Sequence, residues 1–243
     1  MALIQVRDLS FAYNQNIKNP VLDNLNFCLD AATITAVIGL SGCGKTTLCH
    51  CLCGIIPNVL EGHMDGSILI KNENIRGKSL SELAPTIGLV MQNPDDQLVC
   101  TTVEDEVAFA MENMAFTPKE IKARVDEILK FMNLELYRYK NPNQLSGGQK
   151  QLVSVAAVLA LDPEIIIFDE PMSHLDDFGR ELISNIIKHL KEMGKTIIVV
   201  EHNFRLLDFA DNWLLLDKGK IKALDTPQNI KNNSQLLEEM NLA

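Results

Sequence analysis

One lysine, two adjacent carboxylic acids and one histidine stand where this sequence could do chemistry, each at the end of an apolar run. The lysine belongs to Gly39-Leu40-Ser41-Gly42-Cys43-Gly44-Lys45-Thr46-Thr47, which reads G-x-x-x-x-G-K-T directly after Thr33-Ile34-Thr35-Ala36-Val37-Ile38. That order, a short β-branched strand, a glycine loop and residues able to form a helix through Gly54, is the setting of a phosphate-binding loop. A triphosphate needs backbone N–H groups that can approach closely and the positive end of a helix. Gly39, Gly42 and Gly44 leave the room. Lys45 is expected to reach the β- and γ-phosphates, and the Thr46 hydroxyl to be a ligand of Mg²⁺. Cys43, just before the helix, is expected to have its thiolate favoured by the same positive field.

The acids close the run Ile165-Ile166-Ile167-Phe168-Asp169-Glu170. Paired acids at the end of a buried strand are rare for packing reasons. Asp169 is expected to hold Mg²⁺ through water and Glu170 to polarise an attacking water. The histidine follows a second core run, Thr196-Ile197-Ile198-Val199-Val200, which ends in Glu201-His202. A lone histidine is usually structural, but this one ends the apolar run next after the carboxylate strand, so a site role is the better reading. Gln92, at the polar step after Ile87-Gly88-Leu89-Val90-Met91, is placed where α/β active sites collect. Leu145-Ser146-Gly147-Gly148-Gln149 opens a long apolar helix and makes a second anion-binding end.

The elements that must position these groups follow from periodicity. Alternation over residues 2–13 and 21–29 reads as an antiparallel hairpin, with Tyr13 closing its first strand beside Asn14-Gln15-Asn16. Gly66-Ser67-Ile68-Leu69-Ile70 reads as a further strand. From Thr101 to Leu161 the spacing is helical, with Thr117-Pro118-Lys119-Glu120 as a helix start. The run Glu104, Asp105 and Glu106 reads as favourable charge at a helix N-terminus. Residues 213–224 form a hairpin around Asp217-Lys218-Gly219-Lys220, and the polar tail is expected to be helical near its end.

Composition bounds the partners. The chain has 243 residues, 47% of them hydrophobic, and a net charge of −10 from 22 basic and 32 acidic side chains. It lacks the basic face that nucleic acid or an anionic bilayer requires, so no nucleic-acid role is expected. No run approaches a membrane span and the N-terminal residues do not read as a signal segment, so a cytoplasmic location is expected. The six cysteines show no disulfide framework. Cys49, Cys51 and Cys53 read as small buried side chains rather than zinc ligands, because zinc needs four convergent donors.

Together these residues resemble the ATP-binding subunits of ABC transporters over almost the whole chain. Residues 39–47 match the Walker A loop, Gln92 the Q-loop, Leu145 to Gln149 the L-S-G-G-Q signature, residues 165–170 the Walker B strand with its catalytic glutamate, and His202 the switch histidine. Ser173 and Asp176 match the D-loop, with His174 where alanine is common, and Tyr13 matches the aromatic residue that stacks on adenine. The resemblance implies a P-loop NTPase of α/β class: a RecA-like parallel sheet core, an N-terminal antiparallel β subdomain and an inserted α-helical subdomain. It implies one domain over 1–243, with core and β subdomain in 1–91 and 162–225, the helical subdomain in 92–161 and a tail in 226–243. Lys45, Gln92, Glu170 and His202 would be catalytic, with Thr46, Gln92 and Asp169 around Mg²⁺.

A head-to-tail dimer is implied, homodimeric or with a sister ATPase, in which the signature loop of one subunit closes on ATP held by the other. Met91 to Leu98 and Thr102 to Phe109 look more narrowly like the ATPases of energy-coupling factor (ECF) importers for vitamins and for cobalt or nickel. Such a subunit would sit on the cytoplasmic face of the membrane and drive integral membrane partners, with residues 92–99 bordering them. Leu152, Cys100 and Glu201-His202-Asn203 depart from that pattern, and the longer C-terminal extension of many ECF ATPases is not expected. The alternatives are another ABC importer class or a soluble ABC ATPase of DNA repair or translation. Repair members would need a long insertion between Gln92 and Leu145, and translation factors a second cassette. A non-hydrolysing scaffold would be expected to lose Glu170 or His202.

Overall fold

The computed structural model describes residues 2–13, 19–173 and 175–240. Ten strands run through the described residues: β1 (Ala2–Ala12), β2 (Leu22–Asp30), β3 (Ile34–Ile38), β4 (His63–Ile70), β5 (Glu73–Asn74), β6 (Ile87–Val90), β7 (Ile165–Asp169), β8 (Thr196–Glu201), β9 (Asn212–Asp217) and β10 (Lys220–Asp225). The helices are α1 (Lys45–Leu52), α2 (Ile55–Asn58), α3 (Leu80–Leu83), α4 (Val103–Asn113), α5 (Pro118–Phe131), α6 (Gly147–Leu159), α7 (Asp177–Glu192), α8 (Pro227–Lys231) and α9 (Ser234–Glu239).

The strands form two sheets. Four make an antiparallel sheet in the order β2-β1-β4-β5, and six make the central sheet in the order β10-β9-β3-β8-β7-β6. Within the central sheet β9, β3, β8, β7 and β6 run parallel, and β10 returns antiparallel to β9. The expected hairpin of residues 2–29 and the hairpin around Gly219 are both present.

Every residue of β3, β7 and β8 is buried, which is why these segments read as unbroken apolar runs rather than alternating ones. Alternate side chains serve opposite faces. Ile166, Phe168, Ile197 and Val199 join the core under α4 to α7, while Ile165, Ile167, Ile198 and Val200 join α1 and the antiparallel sheet. Cys49, Cys51 and Cys53 lie in that second core as free, buried thiols, in line with the plain packing reading.

Local capping sets the helical lobe. Thr117 and Glu120 form a reciprocal capping box with Pro118 in the first turn, as their spacing predicts. The acidic start of α4 is more than helix-dipole complement. Asp105 donates its backbone N–H to the Thr102 hydroxyl oxygen at 3.1 Å, whereas Glu106 is buried and accepts the backbone N–H groups of Val99 and Cys100 at 2.8 and 2.7 Å. That carboxyl group holds the segment entering α4. The tail is helical at α8 and α9, as expected.

Candidate active site

The parallel strands deliver the reactive groups to one edge of the sheet. In register Ile38 lies beside Glu201, Val200 beside Asp169, and Phe168 beside Val90. The residues that follow these strand ends, the 39–44 loop, Glu170, His202 and Gln92, therefore share the carboxyl edge.

The loop is built around steric necessity. A Cβ at Gly39 would strike the Leu216 carbonyl oxygen and the Cys43 sulfur. Gly44 caps α1 with φ 108°, outside the range of ordinary side chains. Leu40, Ser41 and Gly42 form the exposed crown, Lys45 and Thr47 are buried, and the Thr46 side chain hydrogen-bonds the Asp169 carboxyl. Tyr13 joins from the end of β1: its hydroxyl lies 2.9 Å from the Thr47 hydroxyl, and its ring stands edge-on to Phe11 while remaining 41% exposed. A half-exposed aromatic face beside the phosphate loop suits a flat base. Residues 14–16 lie outside the described residues.

Glu170 is the hub. Its carboxylate accepts a hydrogen bond from Gln92 Nε2 at 3.0 Å and lies 3.5 Å from His202 Nδ1 and 4.0 Å from Lys45 Nζ. The Lys45 ammonium also donates to the Gly39 and Leu40 carbonyl oxygens at 2.8 and 3.2 Å. Three strand ends and the phosphate loop thus converge on one carboxylate.

Asp169 is buried, and its Oδ1 has no hydrogen-bond partner among the described residues. Burial raises its pKa; the Thr46 hydrogen bond opposes that and the Glu170 charge adds to it. A buried carboxylate oxygen without a partner, beside a threonine hydroxyl, fits a hard divalent cation such as Mg²⁺.

A family model described as ABC transporter matches residues 22–173. The chain belongs to the ABC transporter family. It is 41% identical over 239 residues to an ABC transporter ATP-binding protein of Pyrococcus horikoshii, covering 98% of this chain and 84% of that one. It is 37% identical over 245 residues to the energy-coupling factor transporter ATP-binding protein EcfA of Methanococcus maripaludis, covering 100% and 86%. Among solved structures it is similar to CbiO1 of Clostridium perfringens, described as part of the CbiONQ ABC transporter complex, with a TM-score of 0.84, 30% identity and coverage of 99% and 95%. The chain is thus an ABC ATPase of transporter type, with the fold its motifs imply. None of the helices among the described residues is long and apolar enough to cross a membrane.

The ABC signature does not join the phosphate loop within this chain. Ser146 caps α6, its hydroxyl accepting the Gln149 N–H at 3.3 Å while the Gln149 side chain accepts the Ser146 N–H at 3.0 Å. Leu145 is buried beneath them. Ser146, Gly147, Gly148 and Gln149 line a cleft of ≈ 580 Å³ with Leu175 and Asp176, away from residues 39–47. Among the described residues, a Cβ on Gly147 would meet nothing within 4 Å beyond its chain neighbours and its own helix backbone. Intramolecular packing therefore gives no reason for that glycine. The Ser173 hydroxyl donates to the Glu170 carbonyl oxygen at 3.0 Å, and Asp176 caps α7 by accepting the Gly179 N–H at 2.8 Å. His174 lies outside the described residues.

Cys43 departs from expectation. Its thiol is buried, and that burial raises its pKa, with Lys45 only partly opposing the shift. Desolvation outweighs the helix field, so the thiol form is favoured.

Two groups near the site escaped the sequence reading. Lys150 of α6 pairs with Asp95 at 2.5 Å, tying the signature helix to the segment after Gln92. Glu201, read only as the neighbour of His202, is fully buried. An acid closing an all-apolar strand was the available signal.

Proposed function

We propose that this chain is the ATP-hydrolysing engine of an ECF-type importer of a vitamin or a transition-metal ion. It works as a homodimer or beside a sister ATPase, on the cytoplasmic face of the membrane, and drives separate integral subunits. The observation that carries the catalytic part is the convergence of Gln92, His202 and Lys45 on the Glu170 carboxylate. The identity to EcfA along the full chain supports the importer class.

In this mechanism residues 39–47 cradle the phosphates of ATP, with Tyr13 against the base, and Lys45 neutralises the β- and γ-phosphates. Thr46, Asp169 and Gln92 would hold Mg²⁺, which would supply charge neutralisation on the phosphates when bound. Glu170 takes a proton from the attacking water as the water oxygen bonds to the γ-phosphorus and the bond from that phosphorus to the β–γ bridging oxygen breaks, ADP leaving with that oxygen, and His202 steadies the γ-phosphate end of the site. The Leu145-Ser146-Gly147-Gly148-Gln149 loop of a second subunit, with Ser173 and Asp176 at the junction, completes the site. The open surface around Gly147 suits such an approach.

Glu170→Gln tests the assignment. The variant keeps the hydrogen-bonding shape but not the base, so ATP binding persists while steady-state hydrolysis falls by about 10²- to 10⁴-fold. Hydrolysis at the wild-type rate would remove Glu170 from the mechanism. Purification from membranes with identification of the integral subunits tests the importer class, and recovery without any membrane partner would count against it.

A further inference from the structure

Glu201 ends β8, between the strand that leads to the phosphate loop and the strand that carries Asp169. It is 0% exposed. Its Oε1 accepts the Met172 backbone N–H at 3.0 Å, while Oε2 has no hydrogen-bond partner among the described residues and stands 3.9 Å from His202 Nδ1. Burying an acid is costly unless it is paired, so packing alone favours an apolar residue here and does not account for Glu201.

What the acid touches is the turn that presents Glu170. Glu170 has φ 46°, in the left-handed region that non-glycine residues seldom adopt. Such a conformation persists where the surroundings over-determine it. Here the Glu170 N–H donates to the Val200 carbonyl at 2.9 Å, and the Glu170 carbonyl accepts from Ser173 N–H at 3.3 Å and from its hydroxyl at 3.0 Å. Met172 lies inside that turn, and Glu201 is what ties it to β8. The His202 ring, next along the chain, stands between Glu201 and Glu170.

We propose that Glu201 is a positioning residue for ATP hydrolysis: through Met172 it fixes the turn that holds Glu170 in its left-handed conformation, and its second oxygen limits the travel of the His202 ring. This rests on the assignment of Glu170 as general base.

The test measures steady-state MgATP hydrolysis and ATP binding by the full-length chain carrying Glu201→Leu, Glu201→Thr, Glu201→Gln or Glu170→Gln. Leu has no acceptor, and the Thr hydroxyl oxygen sits two bonds nearer the backbone than Glu201 Oε1 and falls short of the Met172 N–H; both should lower kcat by about 10- to 100-fold, the cost of a misplaced catalytic group, with KM and ATP affinity unchanged. Gln retains an acceptor oxygen and should restore most of the rate. A wild-type kcat in Glu201→Thr, beside loss of activity in Glu170→Gln, overturns this proposal alone. So does a loss of ATP binding in parallel with kcat, because a general structural defect would then suffice. Hydrolysis at the wild-type rate by Glu170→Gln overturns the base assignment and this proposal with it. Should Glu201→Leu fail to fold, the Thr and Gln variants decide on the same criteria.

Discussion

Residue by residue, environment overrides type. Cys43 sits where a helix N-terminus should promote a thiolate, yet it is buried and its pKa is raised. Maleimide should therefore react slowly with Cys43 at pH 7 and faster as pH rises, with inhibition following the labelling and absent from Cys43→Ala. Mass spectrometry of the labelled chain checks the site. Rapid labelling of Cys43 at pH 7 would contradict the effect of its burial. Glu201 gives a second pH signature, since desolvation is the main cause that pushes its pKa from 4.5 up to about 7. Between those values the folded state binds more protons than the unfolded state, so this acid's contribution to stability falls as pH rises and levels off above pH 7. At ~1.4 kcal/mol per unit the change amounts to a few kcal/mol. Relative to wild type, Glu201→Gln should become more stable between pH 5 and pH 8 by urea unfolding, and an unchanged difference would refute the shift.

At the level of elements, buried polar ties matter more than surface ion pairs. Glu106 of α4 accepts two backbone N–H groups from the segment that follows the Gln92 loop. Glu106→Ala leaves those donors unpaired and should cost about 2–4 kcal/mol of stability, because losing a partner leaves a desolvated group behind. A loss below about 1 kcal/mol in urea titrations would show that water replaces the carboxylate. By contrast the Asp95–Lys150 pair is half open to solvent, Asp95 being 56% exposed. Such a pair contributes no more than about 1 kcal/mol. Its interest is its address, from the segment after Gln92 to the helix that the signature opens. The sequence reading set residues 92–99 along the membrane partners; the ion pair gives Asp95 an intramolecular partner as well.

For the whole molecule, the signature loop opens away from the groups that converge on Glu170. The phosphate loop, Glu170 and His202 converge within the chain, while Gly147 points its missing side chain at open space. Gly147→Ala should therefore fold normally and bind ATP as wild type does. Its steady-state ATPase should nonetheless fall about 10-fold or more if another subunit approaches there, since a loosened transition-state contact of ~1.4 kcal/mol is already tenfold. Size-exclusion chromatography with ATP in the Glu170→Gln background should show the dimer weakened by the added methyl. Unaltered turnover and dimerisation would place the second subunit elsewhere.

The order of motifs, the apolar strands and the capping box at Thr117 were legible in the chain, because each depends on neighbours within a few residues. So were the places of Asp169, Glu170 and His202 at the ends of apolar strands. The strand order was not. β8 lies between β3 and β7 although β4 to β7 separate it from β3 in the chain, and that crossover alone brings Glu201 beside Ile38 and His202 to Glu170. The fates of Cys43, Glu106 and Glu201 likewise depended on burial, which is set by what packs against a residue from distant segments. Local sequence specifies which groups can react; only the packed sheet decides which of them lose water, and that desolvation changes both their charge and their role.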